Sequence, residues 1–155
     1  IMELFSEYIL KVSPWRQRNK FIAENFLEPN RSLLDLGAGA KTFLWYYKPS
    51  KYFSVEGMPI EGIDLVIDLD TDFQNKIPGY YDYVLNSGIL EFVQVPKKYL
   101  QRQLKLGNEF IFTYDRKIGL TTITYDQMDN LIGEYYIIDR KEDFGKQRIY
   151  KCRPL

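Results

Sequence analysis

The sequence predicts an α/β fold, a mostly parallel sheet that opens on a nucleotide-binding unit. Three leucines within residues 33–36 form a short apolar run typical of a buried strand. Gly37 and Gly39 follow at once, and residues 40–47 are expected to form a short helix, so strand, glycine turn and helix come in succession. Glu56 ends the next strand at close to the ~20-residue spacing of an acid that accepts hydrogen bonds from ribose hydroxyls.

Hydrophobic periodicity predicts the other elements. Apolar side chains recur at helical spacing over residues 2–12. Ser13 and Pro14 are typical of the N-cap and first turn of a second helix, which is expected to end near Leu27. The loop 57–62 is shorter than the dozen or more residues that a parallel crossover usually needs. The remaining prediction comprises strands at 52–55, 63–67, 82–85 and 109–114, helices at 97–104 and 126–131, and an antiparallel hairpin of 134–139 and 147–151.

Composition limits the classes of function. The 155 residues are expected to form one domain, with 21 basic and 21 acidic side chains that leave no net charge. This balance argues against electrostatic binding to nucleic acids or membranes. A local basic patch is the main exception, and its members would be Arg16, Arg18, Lys20 and Arg102.

The cysteine count and the lack of long apolar runs bear on location. Cys152 is the single cysteine, so no internal disulfide is possible and a reducing compartment is expected. No apolar run approaches the ~20 residues that span a bilayer, and no signal-peptide pattern follows Met2. We therefore expect a cytoplasmic protein.

The order of the motifs resembles that of the class I S-adenosylmethionine-dependent methyltransferases. The resemblance extends roughly over residues 32–115 and is that of a small, methyltransferase-like member. Five segments carry it. They are a glycine motif at 34–39, a strand with a ribose-binding acid at 52–57, the end of the third strand at 67–69, the fourth strand with its loop at 81–93, and the turn before the fifth strand at 104–110.

The resemblance implies a Rossmann-like fold whose seven-strand sheet has the order 3-2-1-4-5-7-6, with an antiparallel C-terminal hairpin. It divides the chain into N-terminal helices (1–31), a cofactor-binding core (32–115) and a C-terminal helix and hairpin (116–155). The implied cofactor is S-adenosyl-L-methionine, and the implied acceptor is a small molecule bound by the N-terminal helices and the loops after strands four and five. No metal site is implied. The implied cofactor-binding residues are Asp35, Gly37, Ala38, Gly39, Glu56, Gly57, Asp68, Leu69, Asn86 and Ser87.

The chain departs from the family pattern at several positions. Lys41 stands at the third glycine position, where it would either crowd the helix or meet the cofactor's carboxylate. Phe92 stands where many relatives have histidine, and Leu106 and Asn108 replace the usual proline and second glycine. Two other readings stay open: a methyltransferase-like module without turnover, which the histidine-free site and compact loops favour, and a nicotinamide-dinucleotide-binding domain. Lys41 disfavours the second, because pyrophosphate binding needs the third glycine.

The whole chain lacks histidine, so no side chain has an unperturbed pKa near neutrality. Either the acceptor needs no base, or burial has shifted the pKa of a carboxyl or phenol toward 7. Positioning alone suits an already activated methyl donor, which favours the first option. The candidate catalytic residues are Glu91, Tyr114 and Asp115.

Overall fold

The computed structural model describes residues 13–155, and the helix predicted over residues 2–12 lies outside them. The described residues form an α/β fold in which three α-helices and seven strands end in a C-terminal hairpin. Two short 3₁₀ turns lie at Thr42–Trp45 and Phe73–Lys76. The elements in chain order are α1 (Ser13–Asn25), β1 (Leu33–Leu36), β2 (Tyr52–Glu56), β3 (Leu65–Val66), β4 (Tyr81–Asn86), α2 (Pro96–Arg102), β5 (Gly107–Tyr114), α3 (Tyr125–Gly133), β6 (Tyr136–Phe144) and β7 (Gln147–Pro154).

The seven strands form one sheet in the order β3-β2-β1-β4-β5-β7-β6. The pairs β3–β2, β2–β1, β1–β4 and β4–β5 are parallel. β7 is antiparallel to both β5 and β6. The predicted fold class, strand order and antiparallel hairpin are therefore confirmed.

Each face of the sheet is covered by its own apolar cluster, because successive side chains of a strand point to opposite faces. On β5, Phe110 and Phe112 point to the face covered by α2 and α3, the α2–α3 face. Ile111 points to the face covered by α1 and the first 3₁₀ turn, the α1 face. The result is a three-layer structure in which β1 is buried on both sides.

The helix predicted over residues 40–47 is wrong, since only the 3₁₀ turn Thr42–Trp45 forms there. Lys41 has φ 57°, in the left-handed region, so a right-handed helix cannot begin before Thr42. Pro49 disfavours helical angles at the residue before it. Too few residues remain between these two limits for a regular helix.

The crossover from β2 to β3 contains no helix, and β3 has only two residues instead of the predicted five. At this junction, hydrogen bonds between the Asp64 side chain and Ser54 of β2 take the place of main-chain hydrogen bonds between strands. The Asp64 carboxylate accepts from the Ser54 amide at 2.8 Å and from the Ser54 hydroxyl at 3.0 Å. The Asp64 amide in turn donates to the Ser54 hydroxyl oxygen at 3.0 Å. This reciprocal pair holds the short loop against β2.

The other predicted elements are present with shifted ends. α1 stops at Asn25 rather than near Leu27. The hairpin strands are longer than predicted and reach Phe144 and Pro154. Among residues 13–155, no helix has the length and apolar character that crossing a membrane requires.

Gly107 is expected to be intolerant of a side chain, whereas Gly133 is not. A Cβ at Gly107 would lie 2.5 Å from the Tyr81 carbonyl oxygen and 2.7 Å from Cγ2 of Val84. Gly107→Ala should therefore lower the free energy of unfolding by about 1–3 kcal/mol, the usual cost of overpacking. Gly133→Ala is the matched control, because a Cβ there meets nothing within 4 Å. It should raise stability by about 0.4–1 kcal/mol. Urea denaturation measures both, and equal effects would contradict the expectation.

Candidate functional site

A cavity of about 400 Å³ lies on the α1 face, at the carboxyl ends of β1, β2 and β4. Ligands of open parallel sheets bind beyond these strand ends. The volume falls in the ~300–1,000 Å³ range of small-molecule pockets. Its walls come from α1, the glycine loop 37–39, the end of β2 and the loops after β4 and β5. The lining residues include Trp15, Arg18, Asn19, Asp35, Glu56, Met58, Ser87, Glu91, Phe92 and Ile118.

The glycine loop is tied to the end of β2. The amides of Gly37 and Ala38 both donate to the Val55 carbonyl, at 2.8 and 3.0 Å. The Gly39 amide donates to Oε1 of Glu56 at 3.2 Å. Gly37 and Gly39 have φ 72° and 55°, which only glycine adopts without strain. The loop therefore lies directly beside the acid that the sequence predicts as the ribose ligand.

Gly37 lines the cavity, and the space that a side chain there would occupy is filled by the loop after β4. A Cβ at Gly37 would overlap Cδ1 and Cγ1 of Ile89, in the loop after β4. Ile89 itself lines the cavity. The missing side chain at Gly37 thus lets two loops pack together.

The Glu56 carboxylate is held by main-chain amides at the cavity wall. Besides the Gly39 amide on Oε1, the amides of Gly57 and Met58 donate to Oε2 at 2.5 and 3.4 Å. Gly57 contributes this amide but does not line the cavity. A carboxylate offers about four lone-pair sites, so Glu56 retains acceptor capacity for a ligand.

Asp35 lies between β2 and the cavity and is nearly fully buried. The Tyr52 hydroxyl donates to its Oδ2 at 2.6 Å. Burial raises the pKa of Asp35 to about 7, although the hydrogen bond from Tyr52 partly opposes this rise. The negative charge of Glu56 raises it further. The Asp35 carboxyl therefore titrates near neutrality.

Of the predicted cofactor-binding residues Asn86 and Ser87, only Ser87 lines the cavity. The Ser87 hydroxyl donates to Oδ1 of Asn19 at 2.9 Å. Asn86 points to the α2–α3 face, where it donates to Oε1 of Gln103 at 2.8 Å and accepts from the Tyr99 hydroxyl at 2.5 Å. Its side chain is thus fully engaged away from the cavity.

Asp68 and Leu69 are likewise not brought to the cavity walls. The Asp68 carboxylate accepts from the Asp70 amide at 2.9 Å. Leu69 packs in the apolar cluster of the α2–α3 face. Contact between these two residues and an adenine ring stays a prediction.

The three candidate catalytic residues separate by location. Tyr114 points to the α2–α3 face, where its hydroxyl donates to the Ile123 carbonyl at 2.7 Å, and burial raises its pKa to about 12. Asp115 accepts from the Lys117 amide at 2.9 Å and does not line the cavity. Glu91 does line the cavity, is 1% exposed, and burial raises its pKa to about 7.

Arg18 is a site residue that the sequence analysis missed. It lines the cavity from α1 and is only 5% exposed. Nη1 donates to Oε1 of Gln147 at 2.9 Å, while Nε has no hydrogen-bond partner among the described residues. Burial lowers its pKa to about 10, although the negative charges of Glu91 and Asp115 raise it. Its burial also removes Arg18 from the surface patch considered above.

The spacing of residues along α1 could have predicted that Arg18 lies on the buried face of the helix. Trp15, Arg18 and Asn19 lie three and four positions apart on the helix face that also carries the buried Ile22. A charged residue on the core face of a helix is unusual and predicts either an ion pair or a ligand contact.

Lys41 is engaged elsewhere. Its ammonium group donates to the Gly62 carbonyl in the loop after β2 at 2.6 Å, and it does not line the cavity. The suggestion that Lys41 meets a cofactor carboxylate therefore has no geometric support. Arg18 is the cation at the cavity wall.

Comparisons with known proteins reveal likeness in fold alone. No family model matches the chain, and neither does any curated protein. The structure is similar to that of a Burkholderia thailandensis 1,6-didemethyltoxoflavin-N1-methyltransferase with bound 1,6-didemethyltoxoflavin and S-adenosylhomocysteine, at 13% identity and a TM-score of 0.70 over 99% of this chain and 86% of that one.

Two further similar structures come from archaea. One is a candidate methyltransferase of Haloferax volcanii in complex with a methyltransferase activator, at 11% identity and a TM-score of 0.73 over 98% and 94% of the two chains. The other is a candidate RNA methyltransferase of Pyrococcus horikoshii, at 10% identity and a TM-score of 0.61 over 99% and 96%. The fold is thus shared by proteins described with different acceptors.

The buried carboxyl groups predict a pH-dependent stability. The pKa of Asp35 rises from 3.8 to about 7 on folding, so between these values the folded chain holds a proton that the unfolded chain has lost. The free energy of unfolding should therefore fall as the pH rises through this window and level off above about 7. Asp35→Asn should flatten this slope, measured by urea denaturation from pH 4.5 to 8.

The exposed Glu61→Gln is the control and should keep the wild-type slope, since its carboxyl meets water in both states. An unchanged slope in Asp35→Asn would contradict the raised pKa.

Proposed function

We propose that this chain, which has the fold of the class I S-adenosylmethionine-dependent methyltransferases, binds S-adenosyl-L-methionine in the cavity and methylates a small molecule. The observation that carries the proposal is the position of Glu56. Its carboxylate ends β2, lines the cavity and is fixed by the amides of Gly39 and Gly57. An acceptor-only group at this place suits the two hydroxyls of a ribose.

The donor set at the other side of the cavity also fits the cofactor. The cofactor's amino-acid end carries a carboxylate, which calls for a cation or amide donors. Arg18 offers the unpartnered Nε–H at the wall beside Gly88, where a Cβ would lie 3.1 Å from Nη2 of Arg18. Glycine at position 88 therefore leaves room for this guanidinium beside the loop after β4. Arg18 would hold the carboxylate and Glu56 the ribose.

The roles of the chain's own residues follow from this placement. When bound, S-adenosylmethionine supplies a methyl group already activated by its sulfonium. The protein mainly has to position two partners, a contribution of up to ~7–11 kcal/mol to the barrier. The hydrogen bonds from the glycine loop to Val55 and Glu56 keep the cofactor side of the cavity rigid.

The acceptor side of the cavity supports a small molecule. Phe92 and Ile118 line it and are partly exposed, which gives an apolar rim. The basic patch that would favour nucleic acid does not form as suggested, because Arg18 is buried and Arg102 pairs with Asp72 at 3.1 Å. Absence of tight nucleic-acid binding therefore belongs to this proposal, together with a cytoplasmic location, to which the buried thiol of Cys152 is suited.

The nicotinamide-dinucleotide alternative loses support. A pyrophosphate needs the N-terminus of a helix after the glycine loop. Here the left-handed Lys41 is followed by a 3₁₀ turn of four residues. A non-catalytic, cofactor-binding module remains the second candidate, favoured by the engagement of Tyr114 and Asp115 outside the cavity.

S-adenosylhomocysteine should raise the melting temperature of the purified protein, whereas NAD should not. Stabilisation grows as RT ln(1 + [L]/Kd) for a ligand that binds only the folded state. A concentration series of each compound in a thermal-shift assay measures this. Stabilisation by NAD alone would overturn the proposal.

Glu56→Ala should weaken S-adenosylhomocysteine binding in a protein that still folds. Losing charged hydrogen bonds to the ribose costs about 1.5–3 kcal/mol per bond at most. Isothermal titration calorimetry gives the affinity. Glu61→Ala, an exposed glutamate in the loop after β2, is the control and should bind as the wild type does. If the two variants bound S-adenosylhomocysteine equally well, Glu56 would have a structural role only.

A further inference from the structure

Glu91 combines three features that no other carboxylate at the cavity shares. It is 1% exposed, it lines the cavity, and its Oε2 has no hydrogen-bond partner among the described residues. Buried polar atoms are normally satisfied, so an unpaired carboxylate oxygen at a cavity wall needs an explanation. The Glu91 carboxyl does accept backbone hydrogen bonds, but Oε2 accepts none, whereas both oxygens of Glu56 and Oδ2 of Asp35 have partners.

The main chain holds Glu91 firmly in place. Its carbonyl accepts from the amides of Leu120 and Thr121 at 2.7 and 3.0 Å. Gly119 has φ 81°, and a Cβ there would overlap the same carbonyl group. The segment after β5 is therefore packed on the backbone of Glu91. The main chain at Glu91 is thereby held at the cavity wall.

The surroundings of Glu91 combine charge with an apolar wall. The next residue, Phe92, and Ile118 from the segment after β5 form the apolar rim of the same cavity. The charged or titratable groups around the carboxyl are Arg18 from α1, and Asp115 and Tyr114 at the end of β5. A ligand here would meet a carboxyl oxygen without a hydrogen-bond partner, Oε2 of Glu91, beside apolar surface.

We propose that the methyl acceptor is a small, largely apolar molecule whose accepting nitrogen or oxygen carries a hydrogen, and that Oε2 of Glu91 binds this hydrogen and receives it as a proton. The inference rests on the proposed methyltransferase function and adds the acceptor class and the base. Tyr114 and Asp115 are excluded from this role because neither lines the cavity.

The step balances in atoms and charge. The lone pair of the acceptor's nitrogen or oxygen forms the new bond to the methyl carbon, the electron pair of the broken C–S bond stays on sulfur, and the proton passes to Glu91. The positive charge of the sulfonium and the negative charge of the carboxylate are both lost. No metal, oxidant or further reactant is needed.

Electrostatics suit a base that works at neutral pH. Burial raises the pKa of Glu91 to about 7, and the charge of Asp115 raises it as well. Arg18 and backbone hydrogen bonds from the amides of Glu91 and Asp115 oppose this shift. A base is most effective when its pKa lies near the working pH. In a chain without histidine, this carboxyl takes the place that histidine usually fills.

The first measurement is binding of S-adenosylhomocysteine to the wild type and to Glu91→Gln, an isosteric change. Both should bind with the same Kd, because Glu91 faces the acceptor. Glu91→Gln should melt no lower than the wild type at pH 8 or higher, since it removes a buried charge that is costly to desolvate. Failure of the wild type to bind would refute the proposed function itself. A clear loss of stability in the variant would instead make Glu91 structural and overturn this inference.

The second measurement is methyl transfer to a probe panel of azoles, purines, pyrimidinones, phenols and aliphatic amines. The donor carries a deuterated methyl group, and mass spectrometry detects the label. Fully N- or O-methylated counterparts and thiols complete the panel. At least one N–H or O–H compound should be labelled by the wild type. Binding of S-adenosylhomocysteine without transfer to any of these compounds, or transfer to thiols alone, would overturn the inference.

With a labelled compound in hand, Glu91→Gln should lower kcat by ~10²–10⁴-fold, the range of general-base catalysis. The wild-type kcat should rise with pH through an apparent pKa near 7, and the variant should lose this dependence. Glu109→Gln is the matched control, because Glu109 lies on β5 and pairs with Lys151 at 3.3 Å. It should retain wild-type rates. A Glu91→Gln rate within a few fold of wild type, with an unchanged pH profile, would also refute the base.

Discussion

The site depends on one shared acceptor, the carbonyl group of Val55. β1 lies in the middle of the sheet and is buried on both faces, so the chain has to turn sharply where β1 ends. The amides of Gly37 and Ala38 make this turn by donating to Val55 of the neighbouring strand. The same turn brings the Gly39 amide to the Glu56 carboxylate. One carbonyl thereby aligns the ends of two strands and one wall of the cavity.

Other parts of the cavity wall come from elements outside this turn. α1 places Arg18 and Asn19 at the cavity, and the loop after β4 places Ser87 and Glu91 there. Buried charge at these positions carries a desolvation cost, seen in the lowered pKa of Arg18 and the raised pKa of Glu91. Neither group is needed to complete the apolar core. Buried charges at the wall of a cavity support the proposal of a ligand site over a packing role.

The shared fold by itself does not identify the methyl acceptor. Structures with the same architecture at 10–13% identity include a protein crystallised with a heterocyclic small molecule and a candidate RNA methyltransferase. Function resides in the side chains that the scaffold presents. In this chain those side chains surround Glu91 and the apolar rim of Phe92 and Ile118. On the function proposed above, the acceptor is a small molecule that matches this corner.

The sequence by itself predicted most of the strands, the glycine turn and Glu56 at the end of β2, because these rest on local patterns, and the family resemblance supplied the strand order. Apolar runs predict strands, glycines predict the turn, and Glu56 follows from its spacing. Tertiary structure decided which face each side chain meets. Strand alternation turns Asn86 and Tyr114 toward α2 and α3, while the fold of α1 brings Arg18 from a distant segment to Glu91. Such placement depends on contacts far apart in the chain, and local propensity carries no information about them.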